Sequence, residues 1–109
     1  MATVRDLKIK TSTCKRLLKE LHSYEKEVER EAAKTTNMKE SGADPYVLKQ
    51  QESVLAESRM MIPDCRKRLE ASLADLQGIL EEFKEESKGG AEIDEAEKVV
   101  VEIKTLFQG

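Results

Sequence analysis

Cys14, Cys65 and His22 are the side chains in this sequence with the chemistry of metal ligands, redox partners or nucleophiles. Their spacing argues against each of those uses. The two cysteines form no C-x-x-C pair and have a single histidine for company, so the usual zinc spacings are missing. If the chain folds back near residues 41–44, Cys14 falls level with Ser72 and Cys65 with Leu21. That offset of about seven helical residues is roughly 10 Å, too far for a disulfide. Both cysteines are therefore expected as small buried apolar groups, and His22 as a surface or boundary residue.

Phosphate and nucleic-acid chemistry fare no better. The Gly89-Gly90 pair follows no strand and lacks the Gly-Lys-Ser/Thr of a phosphate loop. Arg66-Lys67-Arg68 and the basic start of the chain have no aromatic residues interleaved for base stacking. Acids at Asp64 and Glu70 flank the triplet. A solvated helix face is the expectation for both, although a cationic patch can still meet an acidic protein. No enzyme chemistry is expected of such a chain, and no catalytic residue, metal site or cofactor is nominated.

The elements that must position these residues are helices. With 38% charged and 4% aromatic residues in 109, the composition suits one small domain of long amphipathic helices. Residues 1–24 carry six Lys/Arg against two Asp/Glu, and residues 81–109 carry four against nine, so packing the two ends together would be attractive. No segment approaches the roughly 20 apolar residues of a membrane span, and the start lacks the apolar run of a secretory signal. An intracellular location is expected.

Two breaks divide the chain. In S-G-A-D-P, Ser41 to Pro45, Gly42 suits a helix C-terminus, Asp44 an N-cap and Pro45 a first turn; S-K-G-G, Ser87 to Gly90, ends a run of Glu and Lys. The reading is an all-α fold: one antiparallel three-helix domain over 1–109, with helices roughly 3–41, 45–87 and 91–107.

Apolar rows set the packing. In the first helix Val4, Thr11, Leu18, Glu25 and Ala32 form one row, and Leu7, Cys14, Leu21, Val28 and Thr35 the other. In the second, Leu48, Leu55, Ile62, Leu69, Leu76 and Phe83 recur every seven residues, beside a thinner row of Gln51, Ser58, Cys65, Ser72 and Ile79. Pro63 interrupts this helix at a cost near 3 kcal/mol by removing an amide donor, and it predicts a kink. Extra apolar residues flank the main row at Val47, Val54 and Met61 before it, and on the other side at Leu73 and Leu80 after it.

The third helix, with Ile93, Ala96, Val100, Ile103 and Phe107, is short. Turned back at 89–90, it reaches about as far as Ser72 and covers Leu73 and Leu80, leaving Val47, Val54 and Met61 without a third helix. A second helix of about 43 residues is roughly 65 Å long, so an elongated rod is expected. Methionines near a kink fill core gaps in one reading. In the other, the uncovered stripe with Met60 and Met61 meets a partner or a second copy of the chain, as in a self-associating coiled-coil scaffold.

Four segments carry a resemblance: E-S-R-M-M-I-P-D-C-x-x-R-L-E at Glu57 to Glu70, L-K-I-K-T at Leu7 to Thr11, Y-E-K-E at Tyr24 to Glu27, and L-Q-G-I-L-E-E-F at Leu76 to Phe83. They resemble the tubulin-specific chaperone A (tubulin-folding cofactor A) family, and its plant members most. The resemblance covers nearly the whole chain and is least distinctive over the last twenty residues. It implies a small three-helix protein of the cytoplasm, associated with the cytoskeleton, that uses no nucleotide or metal. Such a protein captures near-native β-tubulin after its release from the chaperonin and passes it along the other tubulin-folding cofactors to α-tubulin. Members occur as monomers or dimers. The candidate partner-binding residues are Glu57, Arg59, Met60, Met61, Pro63 and Asp64, with Val47 and Val54 and the adjacent charged faces.

Overall fold

A computed structural model describes residues 2–86 and 89–108. Three helices account for it, with no strand among the described residues: α1 (Val4–Glu40), α2 (Pro45–Glu85) and α3 (Ala91–Gln108). The expected boundaries agree to within two residues, except that the expected end of the second helix at Ser87 and part of the Ser87–Gly90 break lie outside the described residues.

Local chemistry explains the ends. At the start of α1, Thr3 N–H donates to Asp6 Oδ2 at 2.9 Å and Asp6 N–H donates back to Thr3 Oγ1 at 3.1 Å, a reciprocal cap. At its end Gly42 takes φ 72°, the left-handed conformation that costs glycine least. Gly42 N–H then reaches the carbonyl of Lys39 and Ala43 N–H that of Met38, which satisfies two carbonyls the helix leaves open. Asp44 Oδ1 accepts from Tyr46 N–H at 2.8 Å and caps α2, with Pro45 in its first turn. α2 then continues through Pro63 as one helix.

The chain forms two compact units. The first comprises residues up to Leu18 and from Lys67 onward; the second is the hairpin from Lys19 to Arg66. In the first unit α1 and α2 run antiparallel, since Lys10 meets Asp75 at 3.3 Å and Cys14 Sγ lies 3.2 Å from Ser72 Oγ. α3 runs parallel to α1, with Lys8 paired to Glu92 at 3.9 Å and Lys15 to Glu95. The basic start of the chain thus meets the acidic segment near its end, through exposed pairs that salt will screen. Leu7, Leu17, Leu69, Leu73, Leu76, Leu80, Phe83, Ile93, Ala96, Val99 and Ile103 are buried there and supply most of the hydrophobic stabilisation.

The hairpin is built differently. Its buried apolar side chains are Leu21, Leu55 and Cys65, joined by the buried polar residues Thr35, Gln51 and Ser58. Thr35 Oγ1 satisfies itself on the carbonyl of Glu31 and Ser58 Oγ on that of Leu55, both at short distance. Gln51 reaches across to α1, where its Nε2 donates to Glu31 Oε2 at 2.7 Å. The thinner row expected on α2 is therefore the more completely buried one here, while Leu48 and Ile62 of the main row are only half-buried.

Candidate functional site

Groups able to carry covalent or metal chemistry are few and dispersed. Cys14 and Cys65 are free and fully buried; burial pushes the Cys14 thiol above its ordinary value, and its contact with Ser72 only partly offsets this. Among the described residues no three His, Cys, Asp or Glu side chains come together as metal ligands. Among the described residues no helix is long and apolar enough to cross a membrane. His22 is exposed and lies 3.4 Å from Glu25, as expected of a surface histidine. The lysines of the basic first helix are partly committed within the chain, with Lys8, Lys10 and Lys15 each facing a carboxylate. Among them Lys15 holds the Glu95 carboxyl below its usual range.

What the hairpin does present is a surface. Val47 (45% exposed), Val54 (45%) and Met61 (42%) stand in the solvent, joined by Met60 (73%) and Tyr46 (70%). Each of the first three lies one turn before a residue of the buried row, namely Gln51, Ser58 and Cys65, so they form a continuous flank beside that row. Glu57 and Asp64 follow Val54 and Met61 by three residues and edge the same flank. By contrast, Leu73 and Leu80 in the first unit are buried, as the reach of a short third helix predicts.

The candidate residues around the proline, from Glu57 to Asp64, do not all lie on one face of α2. Arg59 and Pro63 are each two residues from Met61, about 200° around the helix, so they are exposed on the far side from the stripe. Met60 is exposed about 100° round the helix from Met61, beyond Glu57 and Asp64. Tyr46 went unnoticed in the sequence because it stands at the helix start, outside the seven-residue rows. A polar neighbour of the stripe on α1 is not legible in the sequence either. Gln51 holds the Glu31 carboxylate beside Val47 and Val54, and that contact sets Glu27 level with Leu55. Only a cross-helix contact could reveal it.

Comparison with known proteins agrees with this architecture. The model of the family described as Tubulin binding cofactor A matches residues 2–100. The chain is 68% identical to tubulin-folding cofactor A of Arabidopsis thaliana over 108 residues, covering 98% of this chain and 96% of that protein. It is 50% identical to human tubulin-specific chaperone A over 82 residues, covering 75% and 76%. Among solved structures, the crystal structure of the Arabidopsis cofactor superposes with a TM-score of 0.91 over 94% of this chain and 95% of that one. A β-tubulin binding post-chaperonin cofactor superposes with a TM-score of 0.81 at 29% identity, covering 94% and 98%. With its described residues forming three helices and the family model matching residues 2–100, the chain belongs to the tubulin binding cofactor A family.

Proposed function

We propose that this protein is a tubulin-folding cofactor that captures near-native β-tubulin after chaperonin release and holds it for assembly with α-tubulin. The observation that carries the reading is family membership over residues 2–100 in a chain whose hairpin leaves an apolar stripe uncovered. A protein that shields a folding intermediate needs apolar surface of its own, offered on a scaffold that does not collapse onto it. Val47, Val54 and Met61 supply that surface, with Met60 as an adaptable neighbour. Glu57 and Asp64 border it, and Arg59 and Pro63 serve the helix more than the contact.

The protein acts by binding in the cytosol, without a cofactor of its own and without catalysis. Handover to further tubulin-folding cofactors follows from competition for β-tubulin. Co-purification with separated β- and α-tubulin tests the proposal. A stoichiometric, β-selective complex at micromolar concentration is expected, and the absence of any β-tubulin complex refutes it.

A further inference from the structure

The described sulfur side chains divide by exposure. Cys14 and Cys65 are fully buried, and burial also pushes the Cys14 thiol up, which holds it away from the reactive thiolate form. Met38, near the end of α1, is half-buried. Met60 and Met61 are neighbours in α2 and both stand in solvent, Met60 the more exposed of the two. A thioether has no proton to lose before it reacts, so access of the oxidant to the sulfur governs its rate. The accessible sulfur therefore lies in one dipeptide of the hairpin and not in the cysteines.

We infer that Met60 and Met61 are the site at which peroxides modify this chain, and that sulfoxidation of Met61 weakens the β-tubulin contact. The second half rests on the β-tubulin reading above. In the reaction the sulfur lone pair attacks one peroxide oxygen and the O–O bond breaks. That oxygen stays on sulfur, and its proton leaves with the departing hydroxide as water. Sulfur gives up two electrons and the peroxide takes them. The product at Met61 is a polar sulfoxide beside Val47 and Val54, where an apolar partner would strip water from it without supplying a hydrogen bond. Met60 lies about 100° round the helix, so its sulfoxide keeps its water when the stripe is covered. In the free chain both sulfoxides face solvent, which retains the fold while the contact is lost.

The test treats the protein alone with hydrogen peroxide, destroys the peroxide with catalase and then adds β-tubulin. Peptide mass spectrometry along the time course is expected to find one added oxygen at Met60 first and Met61 next, with Met38 slower and both cysteines unmodified. β-Tubulin binding should weaken about tenfold in step with Met61 oxidation, with circular dichroism unchanged. Two variants are each compared with themselves before and after treatment. Met61→Leu is expected to lose less than about twofold, whereas Met60→Leu loses as much as wild type. Oxidation of Met38 or a cysteine ahead of Met60 and Met61 overturns the inference. So does an oxidised protein that binds as before, a loss that Met61→Leu fails to prevent, or a loss that accompanies unfolding; all of these leave the β-tubulin reading standing. No complex before treatment overturns that reading and the effect on binding with it.

Discussion

The side-chain amide of Gln51 donates to the carboxylate of Glu31 at 2.7 Å and also approaches the Glu31 main-chain carbonyl at 3.4 Å, joining the two arms of the hairpin by a polar contact where a coiled coil would place leucine. A half-buried carboxylate can turn to water when its partner is removed, so this contact contributes little net stability. Gln51→Leu is expected to raise stability by about 1 kcal/mol through added apolar burial. Leu76→Ala, at a fully buried site of the three-helix unit, is expected to cost about 2–5 kcal/mol. Chemical denaturation of the two variants checks both signs, and a Gln51→Leu variant less stable than wild type refutes the reading of this row.

Pro63 is exposed within α2 and lacks the amide that would bond to the carbonyl of Arg59. Pro63→Ala restores that donor. Its expected effect is a gain of about 1–3 kcal/mol and more helix by circular dichroism. If the proline is there to shape the β-tubulin contact, affinity falls in the same variant; unchanged affinity in a more stable protein assigns Pro63 a purely structural part.

Thiol labelling separates the two units. Cys14 sits in the unit with the larger apolar core, its thiol pushed up by burial, while Cys65 sits in the hairpin, whose apolar core is much smaller. A thiol must be both exposed and deprotonated to react, so each reports on opening of its surroundings. In Cys14→Ala and Cys65→Ala variants, labelling by an aromatic disulfide is expected to be slow for both. Cys65 should react about tenfold faster than Cys14. Equal rates would mean that the units open together.

Acid sensitivity follows from two carboxylates. The N–H and hydroxyl of Thr3 hold Asp6 below its ordinary value of 3.8, and Lys15 holds Glu95 below its ordinary 4.5. A depressed pKa in the folded chain means that the unfolded chain binds these protons more readily. The stabilisation is therefore complete above the ordinary values and is lost as pH falls through the folded ones. Asp6→Asn and Glu95→Gln should each flatten the loss of thermal stability below about pH 4.5 and leave its slope near pH 7 unchanged. A slope change near neutrality instead would point to other groups.

Local chemistry made the helices legible from the residues alone. Gly42, Asp44 and Pro45 end one helix and start the next by backbone preferences that need no tertiary partner, and the seven-residue recurrence from Leu48 to Phe83 marks α2 as one helix despite Pro63. The level pairing of Cys14 with Ser72 followed from counting residues back from a turn, because both helices rise by the same amount per residue. The depth of burial did not follow. Val4 belongs to an apolar row yet is 46% exposed, Leu17 and Val99 lie outside the expected rows yet are buried, and Gln51 and Ser58 are covered more fully than Leu48. A row states which side of a helix is apolar, whereas coverage depends on which distant segment packs there. The contact between Gln51 and Glu31 belongs to that second kind of fact, since the two residues are twenty apart in the chain and meet only because two helices pack side by side.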